Sequence, residues 1–202
     1  MTFRAAFGHR DALLRAALNE FCERGYDAAS LNRILAAAAM SKGQLYHHFA
    51  GKQGLYLALV EWMIDQKTAW LSTRPPPAGD DFVATLGAQL RASLEFAAAH
   101  PDVERFSRAV LGERGRPIFE AVTRQFGFDP DGALGALVAR HHAAGDFRAD
   151  LTLDAVQRLV LLIVNRLPEL LDLSQPADLA ARLDELLTFL RAGLAPPRRR
   201  SS

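Results

Sequence analysis

Nine residues, SKGQLYHHF from Ser41 to Phe49, gather side chains that donate and accept hydrogen bonds in several directions while carrying little fixed charge. Lys42, Gln44, Tyr46, His47 and His48 differ in reach and polarity, which is what reading base edges and phosphates along a DNA major groove requires. Ser41 and Gln44 have the S-x-x-Q spacing of a capping box, so a helix is expected to start here. Its first N–H groups and partial positive charge then face outward toward phosphate, and Gly43 lets that end come close to a duplex. Leu45 and Phe49, one helical turn apart, point inward. The chemistry implied is recognition of double-stranded DNA; a helical hairpin with a merely polar solvent face is the plain alternative.

Other reactive groups point nowhere so specific. His47-His48 and His141-His142 are adjacent pairs, and neighbours on a helix diverge by about 100°, so neither converges on a metal and no metal site is expected. The DPDG run at 129–132 lacks the later ligands of a calcium loop and reads as a turn. Cys22, the one cysteine, excludes an intramolecular disulfide and falls on the apolar side of a helix, where it reads as core. There is no G-x-S-x-G, Walker loop, dinucleotide glycine fingerprint or H-E-x-x-H, so neither an enzyme nor a cofactor is expected.

The elements that must position the nine residues are helical. The chain has 202 residues, half of them apolar but only 8% aromatic, with Leu and Ala prominent. That composition favours helices throughout and allows one domain or a small one joined to a larger one. Over 10–24 the apolar Leu14, Ala17, Leu18, Phe21 and Cys22 recur at helical spacing, with Gly25 as the expected stop. Ser30 is placed to cap a second helix whose inner side is Leu31, Ile34, Leu35 and Ala38. A tight turn at Ala39 and Met40 leads to the third helix from Ser41, and a fourth runs from near Gly51 toward Leu71. The run TRPPPAG at 73–79 cannot continue a helix and is the expected boundary. Beyond it helices are predicted near 81–100, 103–111, 116–126, 132–144, 153–173 and 176–193. Pro168 should kink the longest of these or open a separate segment after Arg166.

Charge is uneven. The net value is +1, yet residues 1–60 hold seven Lys and Arg against four Asp and Glu, a local +3. The closing PPRRRSS, 196–202, reads as a basic flexible tail. The longest apolar run, LVLLIV at 159–164, falls well short of the roughly 18 residues of a membrane span, so no membrane partner is expected. No secretory leader pattern opens the chain, and the cytoplasm is the expected location.

Residues 21–55, FCERGYDAASLNRILAAAAMSKGQLYHHFAGKQGL, closely resemble the DNA-binding segment of TetR/AcrR-type transcriptional regulators. The matching features are Phe21 and Gly25, Tyr26, Ser30, Ile34, the turn before Ser41, Leu45-Tyr46, Phe49, Lys52 and Leu55. The resemblance implies that Ser30 and Lys52 meet phosphates at the starts of the second and fourth helices. Ser41 and Gly43 bring the helix start to the duplex, and the resemblance implies that Lys42, Gln44, Tyr46 and His48 face the groove or its edges, with His47 on the margin and Arg33, beside Asn32, reaching from the second helix. One departure stands out: the family usually has glycine where this chain has Ala39, and alanine at positive φ is strained by roughly 1 kcal/mol.

The fold expected is all-α, an N-terminal three-helix helix-turn-helix DNA-binding domain (1–52) joined to a larger helical ligand-binding and dimerisation domain (53–195). In the larger domain Trp62, Phe96, Phe106 and Phe119, with His100, Arg140 and Asn165 as polar groups, are candidates to line a pocket for a small apolar or amphipathic inducer. GDFRADLT at 145–152 looks like the polar loop before the family's penultimate helix. Leu159, Leu162, Ile163, Leu183, Leu186, Leu187 and Leu190 give the last helices more apolar surface than a peripheral pair should show water, so a homodimer is expected. Two reading helices related by a two-fold axis suit a palindromic operator. The function expected is a one-component ligand-responsive regulator, a repressor released from its operator by inducer. The competing expectation is a helical ligand-binding or protein-interaction module that does not read DNA.

Overall fold

The computed structural model describes residues 3–4, 6–73, 79–171 and 178–196, all helical or connecting, with no strand among them. The helices are α1 (Arg10–Ala28), α2 (Leu31–Ala37), α3 (Lys42–His48), α4 (Gly51–Ser72), α5 (Phe82–Ala99), α6 (Pro101–Gly112), α7 (Pro117–Phe126), α8 (Pro130–Ala143), α9 (Leu153–Asn165), α10 (Leu167–Leu171) and α11 (Leu179–Leu194). Residues 74–78, the middle of the expected boundary run, and 197–202, most of the expected basic tail, lie outside the described residues. The chain divides into two compact units. The first comprises Met1–Pro75 and Glu95–Phe128, the second Pro76–Leu94 and Asp129–Ser202, so α5 gives its end to one and its beginning to the other.

In the first unit α1 packs on α2, α4 and α6, and α4 also touches α7. Leu13, Ala17, Phe21, Ile34, Leu45, Phe49, Leu55, Leu59 and Phe106 are among the side chains buried together there. Rings do much of this packing: Tyr56 meets Phe21, Tyr26 and Phe106 edge to face at centroid separations of 5.0, 5.1 and 5.6 Å. Such arrangements put positive ring edges against negative faces.

Gly25 does not end α1 outright. Its backbone leaves the helix (φ 69, ψ 175) and helical turns resume as far as Ala28. The reason lies 88 residues away in sequence. At this break the N–H of Tyr26 is released from the helical ladder and donates instead to Glu113 Oε1 at 2.7 Å, with Glu113 itself buried at the end of α6. A Cβ on Gly25 would sit 2.9 Å from that same oxygen.

The second unit gathers Phe82, Leu86, Val138, Phe147, Val156, Val160, Leu183 and Leu190 into its own core. Gly87 brings α5 close to α11, since a Cβ there would lie 2.7 Å from Leu187 Cδ1. The predicted helix over 153–173 is two helices, α9 and α10, parted at Arg166. Pro168 has no N–H to offer the carbonyl four residues back, and the Arg166 N–H bonds both Leu162 O and Ile163 O in closing the first segment.

Candidate nucleic-acid interface

Two helices and the turn between them build the candidate interface. The alanine at the turn carries the strain its sequence context foreshadowed: Ala39 has φ 50. Around it Met40 N–H reaches Leu35 O at 3.0 Å and Ala39 N–H reaches Ala36 O at 3.3 Å, the paired bonds of a Schellman ending in which the left-handed residue is ordinarily glycine. Burial of Met40 on the far side of the turn helps hold an alanine there.

The helix that follows is capped as expected. Gln44 N–H donates to Ser41 Oγ at 3.2 Å while Ser41 N–H donates to Gln44 Oε1 at 2.8 Å. This closes the capping box and ties the Gln44 carbonyl to the backbone through one of its two lone pairs, leaving its amide NH2 as the donor that faces outward.

Leu45 and Phe49 are buried, and the opposite face carries Lys42, Gly43, Gln44, Tyr46 and His47 in solvent. Tyr46 is 61% exposed, a large amphipathic ring held out on a short rigid helix. His48 is less free: its imidazole stacks on Phe7 at 4.3 Å, tying the segment before α1 to α3.

The two cations nearest the start of α2 and α4 are engaged inside the protein. Arg33 donates through Nε and Nη2 to Glu20 Oε1 at 2.9 and 2.6 Å, and through Nη2 to Ala28 O at 3.0 Å. The same carboxylate oxygen accepts from Ser30 N–H at 2.9 Å. Arg33 hydrogen bonding holds the buried Glu20 carboxyl below its ordinary pKa, against the opposing effect of burial. Ser30 therefore sits at the N-cap of α2 as expected, but through its backbone; its hydroxyl makes no capping bond. Lys52 donates to the carbonyls of Asp27 and Ala29 at 3.0 and 3.1 Å and lies over the Tyr26 ring at 4.7 Å. It closes the C-terminal end of α1.

The side chains expected to line an inducer pocket are not all brought together. Phe96 and Phe106 are buried, Trp62, His100 and Phe119 partly so, all in the first unit. Phe96 and His100 stack at 4.8 Å and both meet Trp70 edge-on. Arg140 and Asn165 belong to the second unit and are exposed. Sequence reasoning passed over Trp70, Lys67 and Ser107, which cluster with Phe96; a charged residue on the otherwise apolar side of α4 was the signal available.

Of the side chains expected at a dimer interface, Leu183, Leu187 and Leu190 are buried in the second unit itself, while Ile163 and Leu186 are partly buried. Leu159 and Leu162 stay exposed, the latter by 60%, and Phe189 on α11, which the leucine pattern did not single out, is 72% exposed.

Residues 13–59 match the pattern described as "Bacterial regulatory proteins, tetR family". Over 74 residues the chain is 39% identical to the HTH-type transcriptional regulator UidR of Escherichia coli (strain K12), a match spanning 37% of each protein. Over 56 residues it is 45% identical to the HTH-type transcriptional activator FasR of Mycolicibacterium smegmatis, spanning 28% of this chain and 26% of that protein. The chain thus spans 37% and 26% of the length of these two curated relatives. The whole fold is shared with a TetR family transcriptional regulator from Chloroflexus aurantiacus J-10-FL, with a TM-score of 0.77, 26% identity, and 98% and 97% of the two chains covered.

Proposed function

Because the chain belongs, through its N-terminal domain, to the tetR family of bacterial regulatory proteins, we propose that it is a one-component, ligand-responsive transcription regulator that represses from a palindromic operator as a homodimer. The observation that carries this is the capped α3, which holds Tyr46 outward while Leu45 and Phe49 anchor the helix from behind. Lys42, Gly43, Gln44, Tyr46 and His47 present the reading face, with His48 at its Phe7-stacked edge. Ser41, Ser30, Arg33 and Lys52 supply the surrounding phosphate contacts; Arg33 and Lys52 do so by exchanging internal acceptors for phosphate oxygens.

The exposed Leu159, Leu162 and Phe189 supply the two-fold apolar contact. A small apolar or amphipathic inducer bound beside α6 would act on DNA through the Glu113–Tyr26 hydrogen bond, since displacing α6 removes the acceptor from the break in α1. Linkage then requires inducer to favour the DNA-free form, by typically ~1–3 kcal/mol.

The internal engagement of Arg33 and Lys52 is the observation that favours the competing function, a helical ligand-binding or interaction module that does not read DNA. Fluorescence anisotropy of the protein with labelled DNA from its own upstream region, against a shuffled control and across a salt series, separates the two. Salt-sensitive binding that prefers the native sequence supports the regulator. Equal binding to both DNAs, followed by an empty selection from genomic fragments, would replace it with the module.

A further inference from the structure

Lys67 lies on α4 in the first unit, partly buried, where a lysine without a counter-ion is costly. Its Nζ donates to the buried hydroxyl of Ser107 on α6 at 3.0 Å and lies 5.7 Å from the Phe96 ring centroid. Among the described residues no carboxylate reaches salt-bridge distance of it. Glu104, the acidic group whose field it feels, is turned instead to Arg108 at 3.8 Å. An ammonium has three N–H donors, and Ser107 takes one.

Burial pushes the Lys67 pKa down, the response expected of an ammonium that lacks a compensating anion. Around it stand rings rather than counter-charges. His100 stacks on Phe96, and Trp70 closes edge-on against both at 5.2 and 5.9 Å. An ammonium with donors to spare, a neighbouring hydroxyl and a wall of rings is the complement of an anion attached to an apolar body.

We infer that the Lys67–Ser107 pair between α4 and α6 receives the carboxylate of a small organic acid whose aromatic or aliphatic body lies against Phe96, Trp70 and His100. The inference rests on the regulator proposed above and names its inducer class. Ser107 lies on the helix that ends in Glu113, six residues on, so a carboxylate drawn between Lys67 and Ser107 acts on the element that caps α1.

The test uses the full-length protein and three acids, benzoate, 1-naphthoate and decanoate, each paired with its neutral amide. Binding is followed by tryptophan fluorescence and calorimetry without DNA. At least one acid should bind about tenfold or more tighter than its amide, the factor that one charge-assisted hydrogen bond corresponds to. Lys67→Met should bring acid and amide to within about twofold of each other, while Lys67→Arg should keep a preference for the acid.

With no acid present, Lys67→Met should melt ~2–4 °C higher than the parent, because a partly buried ammonium with no anion beside it has been removed. A lysine whose role is only structural predicts a lower melting temperature or a failure to fold. Three results would overturn the inference: no acid outbinding its amide, a preference that survives Lys67→Met, or a destabilised Lys67→Met protein. DNA binding by the same preparation is scored separately. Acid preference without sequence-selective DNA binding removes the regulator and leaves the site, and the reverse removes only the site.

Discussion

The backbone N–H of Tyr26 and the carboxylate of Glu113, 87 positions apart, form a 2.7 Å hydrogen bond that joins the break in α1 to the end of α6. The other carboxylate oxygen accepts from Arg116 at 3.0 Å, so the acid is held from two sides in a buried position. Glu113→Ala leaves the Tyr26 N–H without its acceptor and should cost about 1–3 kcal/mol of stability. Gly25→Ala should also destabilise, through left-handed strain and crowding of the same oxygen. A thermal melt of either variant that superimposes on the parent would remove Glu113 from its capping role.

Ala39→Gly should act in the opposite direction. Glycine relieves the φ 50 conformation and keeps both Schellman hydrogen bonds, which should stabilise the protein by about 1 kcal/mol. For a chain of this size that is a melting increase of ~2–4 °C. A decrease would mean that the alanine methyl makes a packing contribution larger than the strain.

Tyr46 and Lys52 should fail differently. Tyr46→Ala should cost roughly 1–3 kcal/mol on operator and much less on random DNA, as expected for a side chain that reads bases. Lys52→Ala should weaken binding to all sequences alike and reduce the salt slope by about one unit. It should also lower the melting temperature, since the Asp27 and Ala29 carbonyls lose their donor. Equal losses on operator and random DNA for Tyr46→Ala would refute its groove-facing position.

Glu20 makes the first unit sensitive to acid. Its pKa is lowered in the folded state by Arg33 and the Ser30 N–H, so the stabilisation is present above the ordinary glutamate value and disappears as pH falls through the depressed folded value. Glu20→Gln should therefore melt below the parent at pH 7, with the gap closing as the pH is taken down through the carboxylate range. A gap of constant size from pH 7 down past the ordinary carboxylate value of about 4 would show that charge is not what Glu20 contributes.

Exposed apolar side chains of α9 and α11 should hold two copies together. Leu162→Glu combined with Phe189→Glu places charge on that surface without touching the buried Leu183, Leu187 and Leu190. Light scattering at micromolar concentration should report a dimer for the parent and a monomer for the variant. A monomeric parent would instead leave this face to another partner.

Much of the architecture was legible because it follows from local rules. Periodicity of apolar residues placed α1 to α8 within a few residues of their observed ends, and the Ser41–Gln44 capping box depends only on a three-residue spacing. The inward turn of Leu45 and Phe49 follows from helical geometry alone. The strain at Ala39 could be anticipated only through the resemblance to a family that usually has glycine at that turn.

What only the tertiary structure decided is which distant groups share a polar side chain. Glu20 and Arg33 are 13 positions apart, Tyr26 and Glu113 are 87, and Lys67 and Ser107 are 40, and no spacing rule relates such pairs. The assignment of leucines was open for a similar reason. Helical periodicity puts Leu183, Leu187 and Leu190 on one face of α11, but only the packing of α5 and α10 shows that this face is already covered and that Phe189 looks outward. Backbone conformation is chosen by neighbours in sequence, whereas satisfaction of buried polar groups and coverage of apolar faces are chosen by neighbours in space.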